Sequence, residues 1–411
     1  MEFREMISPQ EAEALIGREL KRYAHVSLPL SQCAGRILRA PILADRAQPP
    51  FDRVAMDGIA IAYEAYARGL RRFAIEGMQK AGEPQRQLVS ELGCLEVMTG
   101  AVLPRGTDCV IPIEELTVSG GVVSLREKAQ GTRAHQEPSP YRHVHRAGSD
   151  CAAGESIVPA GSILTSPHLG AAAAFGFSSL QVAYTPSVSV VATGDELVDP
   201  NQEPAAHQIR RSNPYAIEAA LRQRGLDQVT LLHAPDDRGH LRKCMESTLE
   251  KCEVLILTGG VSMGKTDYVP EVLAELGIRP CFHRIRQRPG KPFWFGMGSN
   301  GVPVFALPGN PASVLVCLHR YVLPALSRAM GGNEPLPCTA VLERKSPAPG
   351  SLTHFRPVTV KYGSDGRLRA DFVVNQGSGD FSGWARADGF VELDAGDATI
   401  TGGSSARFWS W

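Results

Sequence analysis

The chain has no excess of charge of either sign: among 411 residues, 43 are Lys or Arg and 43 are Asp or Glu. No global field therefore draws it to nucleic acid or to an anionic membrane surface, and any anion site has to be local. It has no uninterrupted apolar run of the roughly 18 residues that a membrane span needs. Its first residues, Met1-Glu2-Phe3-Arg4-Glu5, are charged rather than apolar. These absences lead to the expectation of a soluble, cytoplasmic protein without membrane or nucleic-acid partners. The nine cysteines stand singly, never in the close pairs of thiolate zinc sites or redox motifs. They read as small buried hydrophobes.

What is present is enough chain for two to four domains, at about 150 residues each. Ser8-Pro9-Gln10-Glu11 forms a capping-box pattern with proline at the first helical position, ahead of Ala12, Leu15, Ile16 and Leu20. From about 50 to 145 the periodicity is strand-like (Cys94 to Met98, Cys109 to Ile113, Val122 to Leu125), with Gly and Pro turns. The polar stretch Gly131 to Pro140 reads as a loop within it. From Pro186 to Met330 apolar strands alternate with capped helices, and the tail returns to strands. The fold class expected is α/β multidomain, with a central doubly wound parallel sheet, a β-rich insertion, a small α/β support region and a C-terminal β-barrel. The boundaries expected are 1–50 with 146–185 (support), 51–145 (insertion), 186–330 (central) and 331–411 (barrel).

Ligands of such sheets bind beyond the carboxyl ends of the strands. One strand ends in Thr258-Gly259-Gly260-Val261-Ser262, running on to Met263-Gly264-Lys265-Thr266-Asp267. Paired glycines let backbone N–H groups approach an anion, Ser262 and Thr266 add hydroxyls, and Asp267 offers hard oxygen to magnesium. It is not a Walker loop, and the alternative is a tight turn with a capping aspartate. Arg284-Ile285-Arg286-Gln287-Arg288-Pro289-Gly290-Lys291 concentrates four cations, suited to phosphate or oxyanion, or to a solvated strand edge. Pro308-Gly309-Asn310-Pro311 presents a helix start. Glu196, in Thr193-Gly194-Asp195-Glu196-Leu197, and the pair Asp236-Asp237 end other strands. With Asp267 they form a candidate set of magnesium ligands, although each is also an ordinary cap or turn residue.

Thr193 to Leu197, Gly259 to Gly264 with Asp267, Pro289-Gly290-Lys291-Pro292 and Leu307 to Pro311 follow in the order of one family. So do Pro50 to Gly58 with Met56-Asp57-Gly58, Met98-Thr99-Gly100 and Gln376-Gly377-Ser378-Gly379. On these motifs the chain resembles the MoeA family of molybdopterin molybdenumtransferases over nearly its whole length. The resemblance implies hydrolysis of adenylylated molybdopterin with release of AMP, and insertion of molybdate into the dithiolene. It implies Mg2+ at Glu196, Asp236, Asp237 and Asp267. Catalytic roles fall on Asp57, Thr99, Glu196 and Asp267, and binding roles on Gly259, Gly260, Ser262, Arg284, Arg288, Lys291, Pro308, Pro311 and Ser378. An elongated homodimer and an upstream molybdopterin adenylyltransferase partner are implied as well. The alternatives are an adenylyltransferase-like nucleotide enzyme, whose relatives resemble the central domain alone, or a non-catalytic scaffold.

Four positions depart from the family pattern. Ile59 stands where tyrosine is usual, His145 where arginine is usual, Arg211 where an acid is usual, and Arg288 where lysine is usual.

Overall fold

Three apolar runs, Val188–Thr193, Val254–Thr258 and Pro303–Leu307, are buried along their entire length. Continuous rather than alternating burial marks strands covered on both faces. Successive side chains point to opposite sides. Val190 and Ile256 join Ile217, Leu221 and Phe305 on one face, and Val191 and Leu257 join Leu241, Met245 and Val272 on the other. The computed structural model describes residues 6–126, 137–261, 267–333 and 337–411.

By its internal contacts the chain divides into two units. The first, Met1–Ala40 with Ala160–Leu169 and Ser179–Trp411, carries a six-stranded sheet. Val188–Thr193 pairs in parallel with Val229–Ala234 and Val254–Thr258, and the latter pairs with Pro303–Leu307. Sequence alternation predicts a parallel sheet. Beyond Pro303–Leu307, however, Trp294–Met297 and then Arg279–His283 join antiparallel. The connection from Met297 to Pro303 is a short hairpin, too short for a crossover helix. Because the other four strands run together, Gly194, Asp236, Gly259 and Pro308 all follow strand ends on one edge.

Helix Pro9–Glu19 opens with the expected capping box, Glu11 N–H donating to Ser8 Oγ at 3.2 Å. The helix from Pro311 runs through a π-turn, Leu318–Val322, into Leu323–Ala329. That turn faces His319, Arg320 and Tyr321 inward. Arg320 bridges Glu13 at 2.7 Å and Glu392 at 3.1 Å, tying the first helix to the C-terminal strands. Those strands, Cys338–Leu342, Thr353–Tyr362, Leu368–Phe372, Gly389–Leu393 and Ser405–Ser410, close into a ring because Thr353–Tyr362 pairs on both edges. Each of these five strands is thereby paired on both edges. One short helix, Phe381–Ala385, interrupts the strand pattern of the tail, with Asp380 accepting from Gly383 N–H at 2.9 Å.

The second unit, Pro41–Pro159 with Gly170–Ser178, holds a sheet ordered Cys109–Pro112, Gly58–Ile61, Gly93–Val97, Arg72–Gln79, Val122–Leu125, Leu116–Ser119. Ile59, 2 % exposed, packs in its core with Phe73 and Ile111. Of the polar stretch Gly131 to Pro140, residues 131–136 lie outside the described residues.

Candidate active site

At the strand ends of the first unit, Gly259 has φ +101°, and a Cβ there would stand 2.7 Å from both Thr193 O and Thr193 Oγ1. Only glycine allows the two ends to approach this closely. Thr193 Oγ1 itself is buried without a hydrogen-bond partner. Asn213 Nδ2 donates to Thr258 Oγ1 at 3.0 Å and to Gly309 O at 2.7 Å, joining a helix start to two strand ends. Ser262 and Thr266 lie outside the described residues.

The acidic candidates separate here. Asp195 Oδ1 accepts from Asp236 N–H at 3.0 Å. Burial, then the charges of Glu196, Asp195 and Asp267, push the Asp236 carboxyl above its ordinary value. A cation would relieve that repulsion. Even so, among the described residues no group of three or more His, Cys, Asp or Glu stands at metal-holding distance. Asp237 is engaged otherwise: it caps helix Arg238–Leu249, accepting from His240 N–H at 2.8 Å with His240 Nδ1 at 2.7 Å.

A cavity of about 750 Å3 lies between the Gln287–Pro292 segment, the Pro308–Asn310 loop and the barrel. Arg288 and Lys291 enter from the first side, and Arg344, Lys345 and Arg356 from the barrel. Asp371 takes up Arg344. Arg356 Nη1 donates to Ser346 Oγ at 2.9 Å, its guanidinium 4.1 Å from the Phe372 ring centre. No carboxylate is among the described residues lining the cavity. Ser378 is held at its rim, its Oγ accepting from Asn310 Nδ2 at 3.0 Å and its carbonyl from Ala312 N–H at 3.2 Å. Pro311 follows as the first helical residue and, unlike Pro308, does not line the space.

Below the cations, Gln287 is 1 % exposed. Its Nε2 donates to Pro289 O at 3.0 Å and Gly290 O at 3.3 Å, and its Oε1 accepts from Tyr321. A Cβ on Gly290, φ +88°, would come within 2.6 Å of that amide. Arg284 does not line the cavity. Its backbone, at φ +77°, accepts from Ile7 N–H at 3.2 Å and donates to Phe293 O at 2.9 Å. Arg286 faces Glu11 at 3.6 Å. Thus Arg288 and Lys291 reach the cavity while Arg284 and Arg286 do not. Motif reading missed Lys345, His354 and Arg356. The alternation of His354 and Arg356 along one strand was the signal available.

In the second unit, Asp57 and Thr99 come together, Asp57 Oδ1 accepting from Thr99 N–H at 2.6 Å and from its hydroxyl at 2.7 Å.

Residues 7–176 match the MoeA N-terminal region (domain I and II), 189–328 a probable molybdopterin binding domain, and 339–411 the MoeA C-terminal region (domain IV). A molybdopterin molybdenumtransferase from Synechocystis is 37 % identical over 407 residues, covering 99 % of this chain and 100 % of that one. The chain belongs to the MoeA family. Another relative, molybdopterin molybdenumtransferase 2 from Mycobacterium tuberculosis, is 28 % identical, covering 98 % of this chain and 99 % of that one. The molybdopterin biosynthesis MoeA protein of Pyrococcus horikoshii superposes with TM-score 0.80 at 27 % identity, over 99 % of both chains.

As a MoeA-family member the chain is a transferase of molybdenum cofactor biosynthesis. Its departures from the family pattern have local partners. His145 Nε2 lies 2.7 Å from Asp150 Oδ1, with Nδ1 3.0 Å from Arg53 Nη2. Arg211 pairs with Asp199.

Proposed function

We propose that this MoeA-family enzyme hydrolyses adenylylated molybdopterin, releases AMP and inserts molybdate into the dithiolene. The observation that carries this reading is the cavity, where Arg288, Lys291, Lys345 and Arg356 converge and no carboxylate among the described residues opposes them. Such a space selects an oxyanion, and it is large enough to admit an organic group beside it. Ser378, held by Asn310, offers a hydroxyl to the anion, and Pro308 walls it. Gly259, Gly260 and Ser262 are assigned to the pterin phosphate.

Mg2+ belongs to the same proposal. The raised Asp236 and its acidic neighbours suit a cation in charge, with Glu196, Asp236 and Asp267 as its holders. Bound there it would supply positive charge to offset that of a phosphate. Asp237, committed to its helix cap, drops from that set. Asp57 and Thr99 keep their assigned catalytic roles. The four-part domain division, a homodimer, a cytoplasmic location and an upstream molybdopterin adenylyltransferase are also part of this reading.

Purified protein mixed with adenylylated molybdopterin and magnesium should release AMP faster when molybdate is added. Release indifferent to molybdate would sink the insertase reading.

A further inference from the structure

We propose that His354 is a proton-coupled ligand of the cavity's anion, so that an oxyanion entering brings up to one proton onto this imidazole. The inference rests on the oxyanion reading of the cavity above.

His354 sits on strand Thr353–Tyr362 in direct parallel register with Arg288, and two residues from Arg356 on the same face. All three line the cavity. The charged groups lining it with His354 come from three elements: Arg288 and Lys291 from the Gln287–Pro292 segment, Arg344 and Lys345 from just beyond strand Cys338–Leu342, and Arg356 from its own strand; the Pro308–Asn310 loop, Ser313, Phe372–Val374 and Trp384 add none. The Asn375–Ser378 loop contributes the uncharged Asn375 and Ser378. Among these cations a further positive charge is unfavourable. Burial first, then Arg288 and Arg356, hold the imidazole below its ordinary value.

An entering dianion reverses the local field. The protonated ring then gains an attractive partner and becomes a second-nitrogen donor to an anion oxygen. Histidine is the one side chain whose unperturbed titration, about 6.5, lies where such a reversal changes its charge near neutrality. The fixed cations supply attraction at every pH, and His354 adds to it only when protonated. The linkage has a definite sign. Because the anion-bound form holds the proton more tightly than the empty form, affinity rises as pH falls through the window between the two values, by at most about tenfold per pH unit.

The test is calorimetric titration of the full chain with molybdate, and separately with sulfate, from pH 5.5 to 8.5 in two buffers of different protonation heat. Expected are an affinity about tenfold weaker at the alkaline end, net uptake of a fraction of a proton up to one per anion, and the same trend for both anions. His354→Gln and His354→Asn should keep binding near its alkaline level while losing the pH trend and the proton uptake. Circular dichroism establishes that each variant is folded. If neither folds, NMR titration of the unmodified protein's imidazole resonances must show one histidine whose pKa rises on adding sulfate. Binding without proton uptake, uptake that survives in a folded His354 variant, or a trend confined to molybdate would each overturn the proposal. Absence of binding heat at every pH would remove the oxyanion reading itself, an outcome distinct from binding that ignores pH.

Discussion

Asp57 Oδ1 accepts both the backbone N–H and the hydroxyl of Thr99, 42 positions away in sequence. These bonds, the backbone one foremost, hold the carboxyl below the usual carboxylate range. The group is therefore a fixed anion at neutral pH rather than a proton donor. In the proposed reaction we expect Asp57→Asn to lower AMP release by about a hundredfold, at the scale of losing a positioned acid–base or electrostatic group. Thr99→Ala keeps the backbone bond and should cost less, while moving the acid limb of the pH–rate profile upward. Equal losses in both variants would contradict the division of labour between the two bonds.

The two neighbouring aspartates should separate cleanly. Asp236→Asn removes a charge from the carboxylate group and is expected to raise the magnesium concentration needed for half-maximal activity. Asp237→Ala removes the cap of helix Arg238–Leu249 and should lower Tm with the magnesium requirement unchanged. A shifted magnesium requirement in the second variant would place Asp237 back among the metal ligands.

Arg288 and Lys291 are expected to act on the anion as fork and point charge. Each change to alanine should weaken molybdate binding by about tenfold or more, the scale of one charge-assisted hydrogen bond. Arg284→Ala, off the cavity, should leave molybdate affinity within about twofold of the parent, which direct titration can check.

Tyr321→Phe leaves Gln287 Oε1 buried without its donor. A loss of about 1–3 kcal/mol in denaturant unfolding is expected, with an accompanying fall in molybdate affinity because Gln287 shapes the Arg288–Lys291 turn. Unchanged stability would mean the amide finds another donor.

His319, in the π-turn, has its ring edge-on to Trp411 at 5.1 Å, and its Nδ1 has no partner. Burial, and secondarily Arg224, lower its pKa to about 4. Unfolded, it would titrate near 6.5, so the unfolded chain binds the extra proton. The corresponding stability is present above that value and is lost as pH falls from about 6.5 to about 4, on the order of 3 kcal/mol in all. His319→Gln should flatten this part of the stability–pH curve, measured by urea unfolding across the acid range.

The strand-and-loop layout was legible because local chemistry writes it. Ser8 and Glu11 form a capping box from four consecutive residues, and the buried strands show as apolar runs ended by glycine or proline. The direction of the two antiparallel strands was not, since the residues of Trp294–Met297 and Arg279–His283 are the same whichever way the strands run. Of the candidate site, Gly259, Asp236 and Pro308 could be grouped because parallel strands bring their ends to one edge. Motif spacing could not say that Asp237 turns to His240, nor that Arg284 serves a backbone turn.

By itself, then, the sequence determined the family, the α/β alternation and the cationic segment around Arg288, all of which reside in contiguous residues. Only the tertiary structure decided which cations face a common space. Pairing of Gln287–Arg288 with Thr353–His354 brings His354 and Arg356 beside Arg288 and Lys291. That meeting depends on long-range pairing between strands, which no local pattern encodes.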